Sequence, residues 1–400
     1  MRVTTTTPRK ALPPTVWALG FTSLFMDVSS ELIHGLLPLF LVVNLGASAA
    51  VLGLVEGIAE AAAQIVKVFS GWLSDTLRRR KALAVVGYGL AAVTKPLFPL
   101  AGTVSLVAFA RLVDRLGKGI RGAPRDALVA DVTPPEQRGA AFGLRQSLDT
   151  VGATLGPLAA IGLMAAFNDD IRTVLWFAVI PAVISVAILV IFVRDPGSEE
   201  ATDAAPKRVP IKLRQLGGLG RFYWLVVGAG AVFTLARFSE AFLVIRAYGA
   251  GLPLALAPAV IAVMSIVFAV TAYPAGRLQD RFGARPLLLA GLAALIAADL
   301  LLAFGGGLAA IFLAIGLWGL HLGLTQGVLS ALVAQAAPAD VRGTAFGVFG
   351  LTVGVATLVA SLIAGVLWEV VSPEATFLAG AGFAAAAMAA FLAARPAARA

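Results

Sequence analysis

The chain has 400 residues, of which 59% are hydrophobic and only 13% charged, with a formal net charge of +9. Soluble domains are about 45–50% apolar and about 25% charged, so this composition places the chain among membrane proteins. Without cysteine there are no disulfides, thiol catalysis or cysteine metal sites. The basic excess reads as loop charge that fixes membrane orientation, and no nucleic-acid partner is expected.

The first ten residues, MRVTTTTPRK, are basic and polar, and the apolar run behind them is too long for a signal-peptide core. A helix needs roughly 20 apolar residues to cross a bilayer. Windows of that kind fall at 16–44, 50–74, 82–101, 104–130, 140–166 and 172–193, then at 222–248, 254–278, 285–304, 308–335, 343–369 and 375–394. The reading is an all-α polytopic protein with twelve spans. Between the sixth and seventh lies RDPGSEEATDAAPKRVPIKLRQ, polar and rich in proline. The expected division is 1–194, a linker at 195–217, and 218–400.

Lys and Arg cluster in alternate loops: Arg78–Lys81, Arg138, Lys207–Arg214, Arg281–Arg285 and Arg342. The opposite loops, such as NLGASAA, NDD and YGAGLP, hold none. The positive-inside rule therefore puts both termini in the cytoplasm. The chain also repeats. Gly71-Trp-Leu-Ser-Asp75 is echoed by Gly276-Arg-Leu-Gln-Asp280 at an offset of 205, and Arg138-Gly-Ala-Ala-Phe-Gly143 by Arg342-Gly-Thr-Ala-Phe-Gly347 at 204. Two echoes at nearly one spacing indicate two related six-helix halves of the same orientation, with a site expected at mid-membrane where they meet.

Twelve spans in a 6+6 repeat resemble the major facilitator superfamily of secondary transporters. GWLSDTLRRRK (71–81) resembles its signature loop between the second and third spans, with Arg78 where the family usually has glycine; the copy GRLQDRFGAR (276–285) keeps it as Gly283. Arg115-Leu-Gly-Lys-Gly119 resembles the family's motif in the fourth span. Gly152-Ala-Thr-Leu-Gly156-Pro157 resembles the core of the antiporter motif in the fifth, although Ala159-Ala160 replaces its closing Gly-Gly. DVSSELIHGLLPLF and DRLGKGIRGAPRDALVAD are similar to segments of one bacterial subfamily. The resemblance implies a monomeric carrier of the bacterial inner membrane, without cofactor or metal, that moves a small molecule with protons as coupling ion. It also implies a conformational latch of Gly71, Asp75, Arg79, Arg80, Arg138, Asp280 and Arg342, and a first-span acid, Asp27 or Glu31, facing Arg115.

An ionisable group at the bilayer centre costs roughly 2.5–3.5 kcal/mol on insertion scales, so it must face protein or water. At 100° per residue, Asp27, Glu31 and His34 fall within about 60° of arc, and Glu56, Glu60, Gln64 and Lys67 within about 80°. Arg111, Asp114, Arg115, Lys118, Arg121 and Arg125 make one stripe about 120° wide. Arg145 and Asp149 stand one turn apart on the fifth span. The second half offers only Arg237, Glu240, Asp299 and His321. Asp114 with Lys118, and Arg145 with Asp149, have the spacing of structural ion pairs. Asp27 and Glu31 have no base on their own helix, and a carboxylate that exchanges a proton is what proton coupling needs.

No phosphate-binding G-x-x-x-x-G-K-[ST] loop occurs, nor a nucleophile elbow, so neither an ATP-driven pump nor an enzyme is expected. Two readings remain within transport. One is proton-coupled efflux of a small solute by antiport. The other is uptake or export of an anionic solute or metal chelate, drawn by the basic stripe of the fourth span.

Overall fold

The computed structural model describes residues 11–77, 79–194, 220–336 and 342–393. Twelve bilayer-length segments, all helical, run through the described residues. They are α1 (Pro14–Leu39, continued by a π-turn over Phe40–Asn44), α2 (Ala49–Leu77), α3 (Arg80–Thr94, extended by Leu97–Leu100), α4 (Val104–Asp131), α5 (Arg138–Ala166) and α6 (Ile171–Trp176 with Val179–Phe192). The second set is α7 (Arg221–Leu235 with Ala241–Gly249), α8 (Ala259–Phe282), α9 (Ala284–Phe304), α10 (Gly307–Ala336), α11 (Arg342–Val370) and α12 (Pro373–Ala393).

Ten of these are long and apolar enough to cross a membrane. The other two depart for physical reasons. In α4 the charge stripe lowers the hydropathy although the helix runs 28 residues. In α7 the helix breaks over 236–240, leaving a 15-residue and a 9-residue piece. The expected span at 82–101 is also interrupted at Lys95–Pro96, because Pro96 has no N–H to continue the helical hydrogen bonds. Gly283 turns the chain from α8 into α9 with a positive φ of 80°, a conformation glycine adopts without strain.

The two six-helix bundles are built alike. In the first, α1 packs on α5 and α6, α4 on α2 and α3, and α3 on α6; in the second, α7 packs on α11 and α12, α10 on α8 and α9, and α9 on α12. The repeat seen in sequence is thus a repeat of packing. Between bundles, α2 lies along α11, α5 along α8, and α1 touches the second piece of α7.

With twelve helical segments, the first and last described residues, 11 and 393, lie on one side, called here the terminal end. At the far end a single hydrophobic core spans both bundles, joining Leu36, Leu41 and Leu52 to Val244, Ile261 and Ala364. At the terminal end the core splits into Val16, Tyr88, Leu128 and Leu189 in the first bundle and Tyr223, Val226, Val333 and Ala345 in the second. The buried apolar core is therefore continuous between the bundles at the far end and divided at the terminal end, where α2 and α11 still meet at Val68 and Gly347. At the far rim Glu369, closing α11, accepts the Ala50 backbone N–H at 3.1 Å, so a carboxylate of one bundle caps a helix of the other.

Candidate functional site

The interior charges stand on four helices of the first bundle and meet one residue of the second. Deepest is Arg111 on α4, which donates to Glu56 of α2 at 2.7 Å and to His34 Nδ1 of α1 at 3.0 Å. Arg115, one turn on, approaches the same Nδ1 at 3.3 Å and Glu60 at 3.8 Å. A guanidinium only donates, so Nδ1 must accept and the imidazole proton sits on Nε2. That Nε2 stands 3.5 Å from Glu240 in the break of α7. One histidine thus links the charge network of the first bundle to the second.

Toward the terminal end, Arg121 stands 4.0 Å from Asp27 and stacks over the Tyr88 ring of α3 at 4.7 Å. Arg125 bonds Asp126 at 3.0 Å and Ser23 at 2.9 Å, with Asp149 3.8 Å away. Arg145 bonds Asp149 at 2.6 Å. Beside the network, Lys95 bonds Asp114 at 2.7 Å and Ser30 at 3.0 Å, fully enclosed by α1, α3 and α4.

Two expected pairings are corrected. Arg115 turns to Glu60 and His34 and not to Asp27 or Glu31, because Asp27 lies nearer the terminal end, level with Arg121. Asp114 does not pair with Lys118; it faces α3, where Lys95 reaches it, while Lys118 faces open space. The Arg145–Asp149 pair forms as spaced.

The glycines of the antiporter-like motif explain why the α1 acids sit where they do. A Cβ on Gly152 would fall 2.5 Å from the Leu24 carbonyl oxygen and 3.0 Å from the Asp27 Cβ. One on Gly156 would fall 2.7 Å from the Val28 carbonyl oxygen and 3.0 Å from the Glu31 Cβ. Only glycine allows α5 to lie this close, and the contact falls on the two acids. Pro157 is buried beside them.

Between the bundles is a cavity of about 320 Å³, lined by Asp27, Glu31, Glu60, Lys67, Lys118, Arg121, Arg125 and Asp149 from the first bundle and by Ser265 and Phe268 of α8 from the second. His321 stands apart from it, buried in α10, with Nδ1 at 2.8 Å from the Gly291 carbonyl and its ring stacked on Phe233. Arg237 lies in the α7 break beside Glu240. Of the latch residues, Gly71 packs toward Ala123, Arg80 pairs with Asp131 and reaches the Ala127 carbonyl at 3.1 Å, Arg79 is exposed, and Arg138 reaches the Thr133 carbonyl at 3.4 Å. The side chains of Asp75, Asp280 and Arg342 lie outside the described residues.

Sequence reasoning missed Lys95, whose signal was a lone lysine inside an apolar span, where such a residue needs a partner. It also missed Arg246, which ties α7 to Glu374 of α12 at 3.0 Å.

The sequence profile of the Major Facilitator Superfamily matches residues 19–272 and 241–400. The chain belongs to the major facilitator superfamily. Among its relatives within that superfamily is an MFS-type transporter of Methanocaldococcus jannaschii, 34% identical over 93% of this chain and 92% of that protein. The quinolone resistance protein NorA of Staphylococcus aureus is 25% identical over 55% of this chain and 54% of its own. Among solved structures, the nucleoside transporter NupG superposes with a TM-score of 0.78 at 14% identity, covering 95% of this chain and 99% of that one. A peptide transporter, POT, in complex with sulfate gives 0.77 at 16% identity, covering 96% and 95%. These likenesses show the superfamily's fold, and with it a membrane-embedded transporter of a small molecule.

Proposed function

We propose that this transporter works by proton-coupled alternating access and exports its solute by antiport. It acts as a monomer in the bacterial inner membrane, with both termini in the cytoplasm. The moving parts are the bundles 1–194 and 218–400, joined by the linker 195–217, and the latch residues around Asp75 and Asp280 hold the bundles in one state. The terminal end, where the apolar core divides between the bundles, is then the cytoplasmic end. Its loops carry the Lys and Arg residues, as the positive-inside rule requires.

One observation carries the coupling. Glu31 lines the cavity with no hydrogen bond or ion pair among the described residues, whereas Asp27 on the same wall stands within ion-pair distance of Arg121. Asp27, Glu60, Lys118 and Arg121 line the same cavity, and Arg115 stands within electrostatic reach of Glu31. A proton arriving at Glu31 changes the charge balance of this wall without first breaking a bond, and a change felt unequally by the two states shifts the population between them. The antiporter-like glycines against Asp27 and Glu31, and the name of the relative NorA, support export as the direction.

The chain has no cysteine, so two introduced thiols can be spin-labelled without background. Labels at Ser147→Cys on α5 and Arg277→Cys on α8, both exposed near the terminal end, report the gap between bundles. Their separation is expected to depend on pH, and the dependence is expected to vanish in Glu31→Gln. A pH response that persists in Glu31→Gln and in Asp27→Asn would remove α1 from the coupling.

A further inference from the structure

The cavity wall holds four acids and four bases, but not all of these charges are paired. Its arginines face carboxylates: Arg121 stands 4.0 Å from Asp27 with its Nη1 unbonded, and Arg125 bonds Asp126 and lies 3.8 Å from Asp149. Below them Arg111 and Arg115 face Glu56 and Glu60. Three charged groups lining the cavity remain without a hydrogen bond or ion pair among the described residues: Lys67 on α2, Lys118 on α4 and Glu31 on α1. Both lysines are exposed to the opening. The guanidinium groups that face carboxylates are planar forks that hold the framework. The free groups are ammonium ions, whose donors rotate and suit an oxyanion that must bind and then leave.

We propose that the transported solute is a small zwitterion with excess anionic charge. Its ammonium group meets Glu31, and its oxyanion groups, either two carboxylates or one phosphate dianion, meet Lys67 and Lys118. The proposal rests on the reading of Glu31 as the exchanging acid. The cavity, about 320 Å³, is at the small end of small-molecule sites, which run roughly 300–1,000 Å³. A plain cation would face two uncompensated lysines. A plain anion would be repelled by Glu31 and would bind better once Glu31 took up a proton. By linkage, solute and proton would then travel together rather than in exchange. A zwitterion resolves this, because its ammonium group and the proton exclude one another at Glu31 while its oxyanions hold the lysines.

The test uses the purified full chain in detergent, without any gradient, and reads the shift of the thermal unfolding midpoint with added probe at neutral pH. The probes share a short scaffold and differ in charge: glutamate, phosphoethanolamine, glutarate, norvaline, cadaverine and the uncharged pentane-1,5-diol. Glutamate or phosphoethanolamine is expected to half-saturate at a concentration roughly tenfold or more below the others, the scale of one hydrogen-bonded charge. Glutamate ahead assigns the carboxylate class, and phosphoethanolamine ahead the phosphate class. Lys67→Gln and Lys118→Gln should each raise the half-saturating concentration roughly tenfold or more. Lys67→Arg and Lys118→Arg should largely restore it. Glu31→Gln should bring glutarate level with glutamate. The midpoint without probe shows whether each variant folds. Strongest binding by cadaverine or the diol, no binding by any probe, or lysine variants that bind like the unaltered chain would overturn the proposal. The spin-label response to pH needs no solute, so failure here leaves the coupling reading standing, and failure there leaves this binding result readable.

Discussion

Alanine at Gly156 should pry α5 away from Glu31, and the size of the effect follows from the packing. The new Cβ would lie 2.7 Å from the Val28 carbonyl oxygen and 3.0 Å from the Leu32 nitrogen, both of them backbone atoms that no rotamer change can move. Ordinary contact begins near about 3.4 Å, so the helices must separate by roughly 0.7 Å at this level. Overpacking of a tight interface costs about 1–3 kcal/mol. Alanine also favours a helix over glycine by about 0.8–1 kcal/mol, which offsets part of that cost. Gly162 lies on the same helix with open space around it, so Gly162→Ala gains the helix preference and meets no clash. The difference between the two variants isolates the clash, about 1–3 kcal/mol. Thermal unfolding of both proteins in one detergent reads it: Gly162→Ala should melt at or above the unaltered chain and Gly156→Ala below Gly162→Ala. If the two melt together, α5 does not press on α1 as described and the account of the antiporter-like motif fails.

Two further outcomes follow from named contacts. Lys95→Met leaves Asp114 enclosed without its cation, and breaking a buried pair costs about 3–5 kcal/mol; yield and melting temperature should fall, and the double variant with Asp114→Leu should recover most of the loss. Asp170 caps α6 from outside the membrane-spanning segments, accepting the Arg172 N–H at 3.0 Å and the Thr173 hydroxyl at 2.6 Å, and these bonds hold its carboxyl below the usual carboxylate range. Its contribution is complete above the unfolded value near about 3.9 and is lost only as pH falls through the lowered folded value. Asp170→Ala should cost about 1 kcal/mol at neutral pH, and the deficit, read from unfolding midpoints at several pH values, should shrink in strong acid.

The fold was legible because lipid allows few choices. Twelve apolar windows can only be helices, and the echoes of Gly71–Asp75 and Arg138–Gly143 announced that the second bundle repeats the first. The stripe on α4 was legible for the same reason, since six charges on one face must turn inward. Partners were not legible, because the helical projection orders charges around one axis but does not fix the depth of a second helix beside it. Arg115 and Glu31 share an inward direction, yet His34 and Glu60 lie nearer to Arg115 than Glu31 does. Lys95 escapes a reading of charge stripes because it stands alone in an apolar run, and its acid, Asp114, has a lysine at ion-pair spacing on its own helix, Lys118. The break in α7 had no proline or paired glycine to announce it; it places Glu240 where His34 can meet it.

The two contacts described between the bundles differ in what can replace them. At the rim, Glu369 and the Ala50 N–H are held together where water is already at hand, so hydration takes over as soon as they part. The Nε2 of His34 and the Glu240 carboxylate approach deeper, where the imidazole is shielded although the carboxylate is partly open, and water is a poorer substitute on the imidazole side. Parting them takes from His34 Nε2 its nearest acceptor, while Glu240 keeps Arg237 beside it, and a bound polar guest can stand in for the lost carboxylate. If the bundles separate at this depth during transport, as proposed above, an empty carrier would turn around more slowly than a loaded one, and the difference would rest on a single imidazole.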